Sequence, residues 1–144
     1  MVDDGSGDDK ALAWVQEELR RAVAEITDKG VIESPLAESR PAWVRPFEVV
    51  IGQLRDQGAQ TEFLWVIGGS VPTDCLHSSV AATARDAARH FSLKWQLEAA
   101  RYEDPAERRR LGLDPGVDWQ AQAKALTGRA EYLYELVEDD SLWQ

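Results

Sequence analysis

Asp74, Cys75 and His77 fall within four residues of one another, and His90 follows one helix later. A carboxylate, a thiol and an imidazole are the parts of a cysteine nucleophile site, in which a base takes the thiol proton and the acid orients the base. The same cysteine, two histidines and aspartate are also acceptable zinc ligands. Neither chemistry has its diagnostic spacing here, because paired Cys-x-x-Cys and His-Glu-x-x-His are both missing from the chain. His90 stands in line with Asp86 and Lys94 at four-residue steps, so a pairing with Asp86 on a polar helix edge is its simpler role. The reading that needs no chemistry is a small, partly buried cysteine and two ordinary histidines, and it outweighs the others. Asp74, Cys75, His77 and His90 are therefore catalytic candidates without an assignment, and no metal or cofactor is expected.

Thr73 and Asp74 are candidates for ligand contact, with Arg85 or Arg89 as an anion clamp. Short polar side chains in turns more often bond to nearby backbone amides, which is the local alternative for both residues. Gly68-Gly69 does not read as a phosphate loop, since neither Gly-x-Gly-x-x-Gly nor Gly-Lys-Ser/Thr accompanies it and Pro72 interrupts. The pair reads instead as backbone permission for a turn.

These residues need a scaffold to place them. The apolar run Phe63, Leu64, Trp65, Val66, Ile67 stops at the double glycine, as a buried strand does on leaving a sheet. Phe47 to Leu54, with β-branched Val49, Val50 and Ile51, predicts the strand before it, and Arg55-Asp56-Gln57-Gly58 has turn chemistry. The two form a hairpin with room for a third short strand, and a hairpin alone is marginal in water. Upstream, Leu12, Val15, Leu19, Ala22, Val23 and Ile26 predict a helix from Asp9, stopped at Lys29-Gly30. Pro35, Pro41 and Pro46 oppose a continuous helix between Val31 and Pro46, which leaves Trp43 on an irregular connector.

Downstream, Thr83 caps a helix running to about Tyr102. Its main stripe is Ala84, Ala87, Ala88, Phe91, Trp95, Ala99 and Tyr102, and Leu93 and Leu97 widen it toward a second face. Asp104-Pro105 restarts a short helix ended at Gly112, and Asp118 caps a last helix with the stripe Trp119, Ala123, Leu126, Ala130, Leu133 and Val137. The fold class is α+β: an N-terminal helix, an antiparallel hairpin and two long C-terminal helices covering one sheet face. Residues 1–8 read as a disordered acidic leader and 9–144 as one domain.

The chain carries 26 acidic against 16 basic residues, a net charge of −10, which repels nucleic acid and anionic membranes at long range. Arg108-Arg109-Arg110 is the densest basic run, and such runs are usually solvated helix faces. A single cysteine rules out an intrachain disulfide. The acidic start lacks the pattern of a secretory signal, and no apolar run approaches the ~20 residues of a membrane span, so a cytoplasmic protein is expected.

Pro41-Ala42-Trp43, the run Trp65-Val66-Ile67-Gly68-Gly69-Ser70-Val71-Pro72-Thr73-Asp74, the later Arg85, Arg89 and Trp95, and the acidic-Leu-Trp ending together resemble a bacterial family catalogued as a domain of unknown function. The resemblance spans about Trp43 to Trp143, and its most specific part is Ile-Gly-Gly-x-x-Pro-Thr-Asp. It implies an α+β bacterial protein and transfers no catalytic residue. An aromatic residue commonly follows that aspartate in the family pattern, where Cys75 stands here.

Six tryptophans are more than a domain of this length usually holds, and core packing accounts for Trp14, Trp65, Trp95 and Trp119. Trp43 and Trp143, with Leu142 and the acid run before it, are the expected partner surface. The favoured function is a non-enzymatic module that binds another protein, a basic one by charge, or a second copy of itself. The alternative is an enzyme or small-molecule binder using the Gly68 to His77 corner, with Asp74 as acid/base and Arg85 or Arg89 as clamp.

Overall fold

The computed structural model describes residues 4–31, 38–55 and 62–144. Helix α1 (Asp4–Asp28) begins inside the expected leader. It ends as expected at Gly30: the Gly30 amide donates to Thr27 O and the Val31 amide to Ile26 O, which closes the last turn.

The hairpin is the centre of a larger sheet. Strands β1 (Glu38–Arg45), β2 (Val49–Arg55), β3 (Leu64–Gly69) and β4 (Asp74–His77) form an antiparallel meander in the order β1-β2-β3-β4. The region between Val31 and Pro46, expected to be an irregular connector, therefore supplies a strand. Proline is tolerated there because β1 is an edge strand and its register shifts between Pro41 and Trp43, a bulge that needs no ladder hydrogen bond from Pro41. Phe47, expected to open β2, instead occupies the β1–β2 turn at φ 64°. The turn Arg55-Asp56-Gln57-Gly58 lies, after Arg55, outside the described residues.

Strand alternation sorts the two faces of the sheet. Val50, Leu54, Val66, Leu64 and Cys75 pack toward Val15, Leu19, Ala22, Val23 and Ile26 of α1. Gly52 belongs to the same face, where a Cβ would meet the Arg40 carbonyl oxygen and Leu19 Cδ2 at 2.9 Å each. The opposite face carries Val49, Ile51, Trp65 and Ile67, all buried. Trp65 donates its indole N–H to the Ala81 carbonyl at 2.9 Å, which ties the segment after β4 to the sheet.

The chain divides into two compact units, Met1–Ala87 and Ala88–Gln144. The second holds most of α2 (Ala84–Glu103), all of α3 (Pro105–Arg110) and α4 (Trp119–Glu138). The caps are those the sequence indicates: Thr83 Oγ1 accepts the Asp86 amide, Asp104 Oδ1 the Ala106 amide and Asp118 Oδ1 the Ala121 amide. Buried Ser92 on α2 donates to the Ala130 carbonyl of α4 at 2.9 Å, a polar group satisfied across the helix pair. The architecture is α+β, with the expected N-terminal helix, antiparallel sheet and two long C-terminal helices. Among the described residues no helix is long and apolar enough to cross a membrane.

Candidate functional site

The double glycine ends β3 rather than following it, since Gly68 pairs with Val50 and Gly69 with Val49. At Gly69 φ is 110°, and a side chain there would run into the Glu48 carbonyl oxygen, the atom that accepts the Ser70 amide at 2.7 Å. Only glycine meets both demands, so the turn into Pro72 depends on it. Val71 is buried beneath that turn.

After the turn, Asp74 pairs with Ile67 and opens β4. Its Oδ1 accepts the Cys75 amide at 2.8 Å, so the carboxylate serves a neighbouring backbone group. Cys75 is half-buried and packs with Leu64 against the α1 cluster. By alternation His77 shares the Cys75 face, and Asp74 belongs to the face away from α1. His77 caps the short 3-10 turn Ser78–Val80: its Nδ1 accepts the Ser79 amide at 3.1 Å and lies 2.8 Å from Ser79 Oγ. Its Nε2 lies 3.6 Å from Glu62 Oε2, beyond hydrogen-bond distance, so Nδ1 is the ring nitrogen committed to the turn.

The strand thus brings Cys75 and His77 to one face and sets Asp74 on the other. His90 is exposed on α2, within the second unit. Thr73 is half-buried just before β4, Arg85 is half-buried in the first turn of α2, and Arg89 is exposed one turn later. Among the described residues no group of three or more His, Cys, Asp and Glu side chains could hold a metal ion.

The second unit has an open groove of about 680 Å³ lined in part by Arg108, Arg109 and Trp119. Arg108 donates to the Tyr102 carbonyl at 2.6 Å and Arg110 to Glu107 Oε2 at 2.7 Å, so this basic run is partly spent on its own surroundings. Trp119 is held by a bond from its indole N–H to the Asp114 carbonyl at 2.7 Å and by the Tyr102 ring, 4.9 Å away between centroids. Partial burial and the charge of Glu98 push the Tyr102 phenol above its ordinary range.

The expected partner anchors are half-buried. Trp43 pairs across the sheet with Ile51, and Trp143 donates its indole N–H to the Leu136 carbonyl at 2.8 Å, beside half-buried Leu142. The model of a protein family described as Domain of unknown function (DUF4826) matches residues 8–143. The chain belongs to that family. No curated protein and no solved structure matches the chain.

On the outward face of α2 the sequence marks Arg89 and His90 as candidates but not the leucines beside them. Leu93 and Leu97, expected to widen the buried stripe, are 51% and 55% exposed. The helical wheel carries the signal: at 3.6 residues per turn Leu93 stands about 200° from Phe91, on the far side of the buried stripe. Phe91 and Trp95, at the centre of that stripe, are fully buried.

Proposed function

We propose that this DUF4826 family member is a non-enzymatic protein-interaction module. The observation that carries this reading is the exposure of large apolar side chains inside regular helices, with Leu12 on α1 and Leu93 and Leu97 on α2 each more than half exposed. Single exposed leucines are ordinary, but a pair one turn apart leaves a continuous apolar ridge, which is the anatomy of a docking surface. The formal charge of −10 favours a basic partner at long range. The exposed run Glu138, Asp139, Asp140 beside half-buried Leu142 and Trp143 is the natural contact for such a partner, and the partly exposed Trp43 offers a second aromatic anchor. The small-molecule or enzymatic alternative asks Asp74 to act as acid/base, a role that competes with its bond to the Cys75 amide. Affinity capture with the full chain as bait from a native lysate, followed by cross-linking, tests the proposal. A saturable protein partner is the expected result, and recovery of nothing above background would remove the reading.

A further inference from the structure

The charge around the α2 ridge is opposite to that of the chain. On a helix the side chains adjoining a residue are those three and four positions away. For Leu93 these are Arg89, His90, Gln96 and Leu97, and for Leu97 they are Leu93, Lys94, Ala100 and Arg101. All of them are exposed and three are basic, while the carboxylates Asp86 and Glu98 of the same helix stand three or four positions from Arg89, Lys94 and Arg101 rather than from the leucines, in a protein with 26 acidic and 16 basic residues. Leucines framed in this way suit a partner that brings apolar side chains flanked by carboxylates.

We propose that the outward face of α2, with Leu93 and Leu97 framed by Arg89, Lys94 and Arg101, docks an acidic amphipathic segment of a partner protein. The proposal rests on the reading of the chain as an interaction module and names the partner chemistry at one of its surfaces. The net charge of −10 does not oppose it at contact, because the Debye length in physiological salt is about 8 Å and only the local frame acts on a docked segment. A second copy of the chain fits less well. A two-fold pairing of α2 on itself with its centre between the leucines would set Arg89 close to Arg101 of the other copy, like charge against like. An anionic membrane would use the same cations, but two leucines bury too little apolar surface to hold a chain of this charge on a bilayer.

Selection of a random displayed peptide library on the intact chain tests this. The expected enriched peptides combine Asp or Glu with Leu, Phe or Trp at three- and four-residue spacing. A labelled peptide of the enriched sequence should lose at least tenfold in affinity for the Leu93→Glu/Leu97→Glu variant, and its contacts should map to the amides of residues 89–101. A second variant, Arg89→Glu/Arg101→Glu, leaves the leucines in place and should weaken the acidic peptide by a similar factor, so the test survives if the first variant fails to fold by circular dichroism. Enriched peptides that are basic, or whose affinity neither variant changes, would overturn the α2 assignment and leave the interaction module standing. Self-association in sedimentation, or binding to phosphatidylserine vesicles, that the leucine variant abolishes would overturn it in favour of a second copy or a membrane. Failure to enrich any peptide, together with an empty lysate capture, would remove both readings.

Discussion

The Gly69 to His77 corner and the outward face of α2 differ in what their residues have left to offer. The corner holds the side-chain types most associated with chemistry, yet Asp74 serves the Cys75 amide, His77 caps a turn and Cys75 packs against the α1 cluster. The α2 face holds Leu93 and Leu97, ordinary on any helix, and leaves their apolar surface in water. Function follows from bonding capacity that remains after folding, and residue type reports that capacity poorly where a chain must turn. In turns, short polar side chains replace the backbone partners that regular structure would have supplied.

The comparison breaks most readily at Gly69. Gly69→Val puts a β-branched residue at φ 110°, against the Glu48 carbonyl, and should cost roughly 3 kcal/mol or more in urea unfolding. A variant as stable as the parent would mean that the turn is not organised around that glycine. Asp74→Ala comes next, at about 1 kcal/mol, the usual net worth of a hydrogen bond lost from a partly buried amide. If Asp74→Ala were neutral or stabilising, the carboxylate would be held there against the needs of the fold, and the corner would regain its claim as a functional site.

How far the sequence revealed this molecule depends on the range of the forces involved. Helices α2, α3 and α4 were legible because their caps are local, as is the stripe of α1: the Thr83, Asp104 and Asp118 side chains each bond an amide two or three residues away. Strand β1 was not legible, because Pro41 argues against a strand unless the strand is an edge with a bulge at that point, and both conditions are set by the register with β2. The corner residues were legible as candidates. Their separation onto two faces became visible only once β4 was known to be a strand, since alternation and not proximity in sequence sends Asp74 and Cys75 apart. The exposure of Leu93 and Leu97 was available from the helical wheel, but an eye drawn to apolar residues assigns them to the core.

Gly128 sharpens the comparison from another open position. It lies within α4, and a Cβ placed there meets nothing within 4 Å. Gly128→Ala should therefore stabilise the protein by about 1 kcal/mol, the helix-propensity difference, read as a higher urea midpoint. The sign is opposite to that at Gly69, because here the backbone is helical and the space is empty. If the gain appears while affinity for a captured partner falls, the bare backbone of Gly128 is itself part of a contact surface.

The smallest expected change in stability is at the α2 ridge. Leu93→Ala with Leu97→Ala removes side chains already about half in water, and alanine is the better helix former, so unfolding should shift by no more than about 0.5 kcal/mol. Two leucines deleted from a core would cost several kcal/mol, and that contrast is what the measurement reads. A large loss would show that the ridge supports the fold, and the corner and the ridge would then differ only in chemistry. A near-neutral result leaves an apolar surface that folding does not require, and its use must then be sought in binding.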